Sequence, residues 1–206
     1  MPLTVLDHAL ATHLITRLRD KATQPEQFRP LARALTGILI AEATRTMPLQ
    51  KHVVQTPLEV VEGEQLACPV VIAPVLRAGL SMLDEALEMI PEARVGYLGL
   101  ERDEQTAIAR AYYCKLPPMQ GSYALLLDPM LATGGSAARA AFDLYGAGAA
   151  HVCLLSMVAA PEGVSHLEVL YPEMQVVAAA LDRELNASSY ILPGLGDFGD
   201  RLYGTF

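Results

Sequence analysis

Apolar residues recur along this chain in two rhythms, one helical and one strand-like. Leu31, Leu35, Ile38 and Leu39 fall at i, i+4, i+7 and i+8, the stripe of an amphipathic helix, and Pro25 suits a first-turn position ahead of them. The spacing predicts a helix over residues 25–43, within an N-terminal part that reads as helical. Over residues 53–65 β-branched residues, Pro57 and Gly63 take over, which predicts short strands and turns. From Pro69 onward strand-like runs (70–73, 95–100, 123–127, 152–158 and 176–180) alternate with helical segments (81–89, 136–145 and 164–170). The stretch between Leu100 and Tyr123 carries no clear period. This βαβ rhythm predicts an α/β fold, a mainly parallel sheet flanked by helices, and such sheets bind ligands beyond the carboxyl ends of their strands.

Composition narrows the picture. With 206 residues, 52% of them hydrophobic, the chain can bury a core as one domain over residues 1–206, and neither an internal repeat nor a low-complexity linker divides it. Its apolar runs fall well short of the roughly 20 residues that a membrane-spanning helix needs. Asp7 and His8 interrupt the apolar start, so no secretory signal is expected and a cytoplasmic location is the default. A net charge of −8 argues against nucleic acid or an anionic membrane as partner, so any anionic ligand must be held by local groups. Cys68, Cys114 and Cys153 are odd in number and far apart, and buried free thiols are expected. His8 and His13 do not share a helix face at i, i+4, which leaves them structural or surface roles.

The most informative segment is Leu125-Leu126-Leu127-Asp128-Pro129-Met130-Leu131-Ala132-Thr133-Gly134-Gly135-Ser136. An apolar strand runs into a small-residue loop and then a helix. Gly134 and Gly135 permit close backbone approach, Thr133 and Ser136 offer hydroxyls, and the following helix presents unpaired N–H groups to an anion. Asp128 would repel a phosphate but can accept hydrogen bonds from paired ribose hydroxyls. The loop lacks the Gly-Lys-Ser/Thr ending of a nucleotide triphosphatase. Standing alone, Thr-Gly-Gly-Ser would be no more than a tight turn capping a helix.

Residues 127–136 resemble the phosphoribosyl pyrophosphate motif of the type I phosphoribosyltransferases, and Asp-Pro-Met-Leu-Ala-Thr-Gly-Gly-Ser is similar to its uracil-specific form. The likeness continues through residues 73–80, 112–117, 159–163 and 190–205, and more loosely through Glu42-Ala43-Thr44. It implies that Asp128, Pro129, Met130, Leu131, Ala132, Thr133, Gly134, Gly135 and Ser136 bind phosphoribosyl pyrophosphate. Arg77, in Val-Leu-Arg-Ala-Gly-Leu, is implied to clamp the pyrophosphate from a loop that in relatives often holds a non-proline cis peptide. Arg102, among Glu101, Asp103 and Glu104, reads by composition as part of a solvated charged loop; the resemblance makes it an arginine that closes over the diphosphate. Glu101 stands where the family carries an aromatic residue.

At the C-terminus Gly194-Leu195-Gly196-Asp197-Phe198-Gly199 matches G-x-G-x-x-G, yet a dinucleotide fold would need a helix and a βαβ unit that Asp200 to Phe206 cannot supply. Tyr190-Ile191-Leu192-Pro193-Gly194-Leu195-Gly196-Asp197 instead resembles the family's uracil loop. Backbone groups brought close by glycines can match a flat pyrimidine, and Ile191, Gly196, Asp197 and Phe198 are the residues implied to do so. Phe198 departs from the family's alanine, and its ring is expected to point away from the base. Mg²⁺ is implied to arrive with the substrate's phosphates, with Asp197 facing its waters and no direct protein ligand. Arg77, Arg102, Asp128 and Asp197 are thus the expected catalytic set, in a homodimer or larger homo-oligomer. GTP is a possible effector of relatives, but no separate guanine motif is present. Two other functions stay open at this point: transfer to another base, and a non-catalytic sensor that keeps the phosphoribosyl site.

Overall fold

The computed structural model describes residues 3–102 and 109–205, and for residues 101, 102, 109 and 110 the backbone alone. The chain opens with β1 (Leu3–Val5), α1 (Ala9–Arg19) and α2 (Pro25–Ala43). His8 caps α1, its Nδ1 accepting from the Ala11 N–H at 3.4 Å, which is the structural role expected of it. The second helix has the bounds that the apolar stripe predicts. Pro25 begins it, where a missing N–H costs nothing, and Phe28, Leu31, Leu35 and Leu39 form its buried face. Two antiparallel strands follow, β2 (Leu49–Gln55) and β3 (Val60–Leu66), as the turn chemistry of residues 53–65 predicts.

Next come β4 (Val70–Leu76), α3 (Leu80–Met89), β5 (Arg94–Val95), β6 (Tyr97–Arg102) and β7 (Ala109–Lys115). They are followed by β8 (Tyr123–Leu127), β9 (Met130–Leu131), α4 (Gly135–Gly146), β10 (His151–Ala159), α5 (Pro161–Leu170) and β11 (Gln175–Leu181). The tail holds β12 (Glu184–Leu185), β13 (Ile191–Leu192) and α6 (Phe198–Tyr203). Among the described residues the main sheet runs β1-β11-β10-β8-β4-β6-β7, with β5 beside β4 and β9 beside β10. All its pairings are parallel except that of β6 with β7. This is the mainly parallel α/β fold that the βαβ rhythm predicts.

The β7 strand lies in the stretch read as irregular. As the exposed edge of the sheet it has no buried face to impose an alternation, so periodicity could not report it. The same position corrects the expectation for the thiols: Cys153 is buried, but Cys68 is half-buried and Cys114, on β7, is exposed. In the central strands alternate residues serve opposite faces. Leu125, Leu127, Cys153 and Leu155 pack with α1, α2, α3 and α6, whereas Ala124, Leu126, Val152 and Leu154 pack with α4 and α5. Leu125, Leu126 and Leu127 are fully buried, and each such side chain contributes about 1.5–3 kcal/mol.

The order of strands decides where a ligand can sit. From β4 the chain moves outward to β6 and β7, then returns to the other flank of β4 as β8 and continues outward through β10 and β11. The direction of winding therefore reverses between β4 and β8. A crevice opens at such a switch point, at the carboxyl ends of the two strands.

Candidate active site

Arg77 and Asp128 are brought to that crevice by the pairing of β4 with β8. Pro74 is in register with Leu127, so the loop after β4 and the loop after β8 leave the sheet side by side. The Leu76–Arg77 peptide is cis, the form that the resemblance implies for this loop, and the Arg77 side chain is exposed. Gly79 stands where a Cβ would be 2.3 Å from the Leu127 carbonyl oxygen, so the two loops pack backbone against backbone. The backbone of Glu101 and Arg102 ends β6, next in the sheet beyond β4; their side chains lie outside the described residues.

The loop after β8 is built in two parts. Pro129 to Leu131 is tied to β10: the Pro129 carbonyl accepts from the Met157 and Val158 N–H groups at 2.9 and 3.2 Å, and the Leu131 carbonyl from Ala160 at 2.8 Å. Leu131 itself is buried in the core. The segment from Ala132 to Ser136 then turns into α4 through Gly134, whose φ of 81° is left-handed. The first helical hydrogen bond across this cap runs from the Ala138 N–H to the Gly134 carbonyl at 2.8 Å. Among the described residues, the N–H groups of Gly135, Ser136 and Ala137 and the hydroxyls of Thr133 and Ser136 have no protein acceptor or donor. No acidic residue stands in the first turn of α4, so this end of the helix offers an anion unpaired donors and the positive pole of the dipole.

Asp128 is held differently. Its Oδ1 accepts from the Met130 N–H at 3.3 Å, and its own carbonyl accepts from the buried Ser156 hydroxyl at 2.6 Å. Burial pushes the carboxyl up to about 6, only partly countered by the Met130 N–H. Ser156, in the middle of β10, escaped the sequence reading because a serine in an apolar run carries no motif.

The C-terminal segment takes a form that its composition did not suggest. A short helix does begin within the glycine pattern, but β13, which precedes it, has two residues, and among the described residues no βαβ unit follows. Asp197 caps this helix, Oδ1 accepting from the Asp200 N–H at 2.9 Å. The Phe198 ring packs into the core: it is 2% exposed and meets Phe28 edge to face, ring centroids 5.1 Å apart. Arg201, also missed from sequence, places its guanidinium 4.7 Å from the Phe28 ring and donates to the carbonyls of Leu18, Asp20 and Leu195. Ile191 is buried in β13, whereas Gly196, at φ 82°, and Asp197 are exposed. Among the described residues the N–H groups of Gly196 and Phe198 have no protein acceptor. A cavity of ≈ 470 Å³ lies between this loop and the α1–α2 connection, bordered by Lys21, Gln24, Gly196 and Asp200.

A mainly parallel sheet with its crevice between β4 and β8, and a strand–loop–helix turn at that point, is the fold of the type I phosphoribosyltransferase class. The fold matches a hypoxanthine-guanine phosphoribosyltransferase structure from Bacillus anthracis, TM-score 0.53 at 9% identity, over 81% of this chain and 83% of that one. The model of the uracil phosphoribosyltransferase family matches residues 5–205. A uracil phosphoribosyltransferase of Roseiflexus sp. is 47% identical over 202 residues, 98% of this chain and 97% of its own. A solved protein structure from Aquifex aeolicus superposes with TM-score 0.93 at 37% identity, covering 98% of this chain and 97% of that one. The chain belongs to the uracil phosphoribosyltransferase family. Among its described residues, no helix is long and apolar enough to cross a membrane.

Proposed function

We propose that this chain joins uracil to phosphoribosyl pyrophosphate, giving UMP and pyrophosphate, as a salvage enzyme acting through one domain. The observation that carries this reading is the meeting, at one switch point, of the Arg77 loop with the Asp128 loop and its open α4 cradle. Gly135, Ser136, Thr133 and the α4 N-terminus hold the substrate's 5′-phosphate, and the ionised Asp128 accepts its ribose hydroxyls. Uracil N1 bonds to the anomeric carbon as the bond to pyrophosphate breaks, and the N1 proton passes to water. Arg77 and Arg102 stabilise the charge that gathers on the departing diphosphate. Asp197 keeps one carboxylate oxygen clear of its capping bond, which suits hydrogen bonding to water around a cation. Mg²⁺ carried on the substrate's phosphates would neutralise charge on the leaving group. The base is met by backbone groups of Ile191, Gly196 and Phe198. For assembly we propose a homodimer, supported by the exposed Val53, Val60 and Val61 of the β2–β3 hairpin.

Pyrophosphate release with Mg²⁺, measured with uracil, with cytosine and without base while UMP is identified directly, tests the assignment. Uracil-dependent UMP is expected. Turnover with cytosine instead would overturn the substrate, and binding without turnover would leave a sensor. The inward Phe198 gives a separate expectation. Phe198→Ala removes the ring against Phe28 and should lower stability by about 3–5 kcal/mol in denaturant unfolding. Its KM for uracil should stay within about threefold, because the base meets only the backbone there. A sharp gain in uracil affinity would show that the ring intrudes on the base.

A further inference from the structure

The end of α1, the end of β11 and the base loop meet at an ion pair that no step of the reaction uses. Arg19 grips Asp182 with two nitrogens, at 2.8 and 2.5 Å, and the Asp182 side chain is 5% exposed. Both partners also reach Gly194. Asp182 Oδ2 accepts from the Gly194 N–H at 2.8 Å, and Arg19 donates to the Gly194 carbonyl at 2.7 Å. The two backbone groups of this single glycine are therefore both taken by the pair, two residues before Gly196.

The surrounding contacts show what the grip achieves. The Arg183 N–H donates to the Leu192 carbonyl at 3.0 Å, and Arg201 donates to the Leu195 carbonyl at 3.0 Å. The loop's carbonyls at 192, 194 and 195 thus all point to protein partners. Among the described residues the N–H groups from Leu195 to Gly199 have no protein acceptor, and those at Gly196 and Phe198 are the ones that meet the base in the function proposed above. A loop outside regular structure holds such donors in place only if something cancels its freedom, about 1–2 kcal/mol of backbone entropy per residue. Burying a carboxylate is a poor way to gain bulk stability, since desolvation offsets most of the attraction. It is an effective way to fix one backbone geometry, because a two-pronged Arg–carboxylate contact tolerates little rotation.

We propose that Arg19 and Asp182 form a positioning pair for the base loop, setting affinity for the pyrimidine without touching either substrate. This rests on the uracil reading. Arg19→Lys keeps the charge but loses the two-pronged grip and the reach to Gly194. Steady-state kinetics should show its KM for uracil raised about tenfold, the size of one lost hydrogen bond to a charged group. Its kcat and its KM for phosphoribosyl pyrophosphate should stay within about twofold. Asp182→Asn should shift the same constant, and the double variant should be no worse than the more impaired single one, as befits residues acting as a unit. Wild-type enzyme without uracil-dependent UMP formation would remove the reading and the pair's role together. With wild type active, a parallel rise of both KM values, additive effects, or an Arg19→Lys chain that fails to fold would make the pair a structural tie and overturn the proposal alone.

Discussion

Gly79→Ala is expected to cost about 3 kcal/mol or more of stability and about a hundredfold or more in kcat/KM, the effect of a site displaced by an ångström. The added methyl has no conformational objection to meet, since Gly79 sits at φ −61° and ψ −20°, ordinary values for alanine. The obstacle is space. A Cβ there would lie 2.3 Å from the Leu127 carbonyl oxygen and 2.7 and 2.8 Å from the carbonyl oxygen and nitrogen of Val75. All three are backbone atoms, which cannot turn aside as a side chain would. Leu127 immediately precedes Asp128, and Val75 lies two residues before Arg77. Relief therefore moves the Asp128 loop, the Arg77 loop, or both. Gly146→Ala makes the comparison: Gly146 ends α4, nothing lies within 4 Å of a Cβ added there, and the change should leave both quantities near wild type. Thermal unfolding and steady-state UMP formation measure the pair. A Gly79→Ala enzyme as stable and active as wild type would show that the two loops do not need their close backbone contact.

Gly79 also shows what a sequence can and cannot disclose. Residues 25–43 and the strands in the middle of the sheet were legible because a buried face imprints a period on the chain, and the Asp128 loop because its chemistry demands particular residues at fixed spacing. The exposed edge strand β7 imprints nothing. Arg19, Asp182 and Arg201 left no signal either, for another reason: Arg19 and Asp182 meet across 163 positions, and their remaining partners, like those of Arg201, are backbone groups, which are the same at every residue. The contact of Gly79 with Leu127 belongs to this class. The sequence places a glycine beside Arg77, and only the register of β4 against β8 says which backbone it must admit. The intact neighbours of Phe198 suggest a ring directed away from the base, but its partner Phe28 lies 170 positions earlier and could not be anticipated.

Asp128→Asn should move stability and catalysis in opposite directions. In the free protein the Asp128 carboxyl is raised from 3.8 to about 6, with burial as the dominant cause. The folded state therefore binds this proton more tightly than the unfolded chain. Its contribution to stability is fully present below about pH 4, declines as pH rises to about 6, and is absent above. Asparagine keeps an oxygen for the Met130 N–H without burying a charge, so the ligand-free variant should be more stable than wild type at pH 7.5, by no more than about 3 kcal/mol. Catalysis should suffer, because the amide cannot replace an ionised acceptor for two ribose hydroxyls. A loss of about two to three orders of magnitude in kcat/KM for phosphoribosyl pyrophosphate is expected. The wild-type value should fall as pH drops through about 6, where the free enzyme's carboxylate takes up its proton. Substrate phosphates titrate nearby too, so the variant supplies the control. If the acid limb vanishes in Asp128→Asn, the limb belongs to Asp128. If it persists unchanged, the substrate carries it, and the carboxylate's role in holding the ribose is refuted.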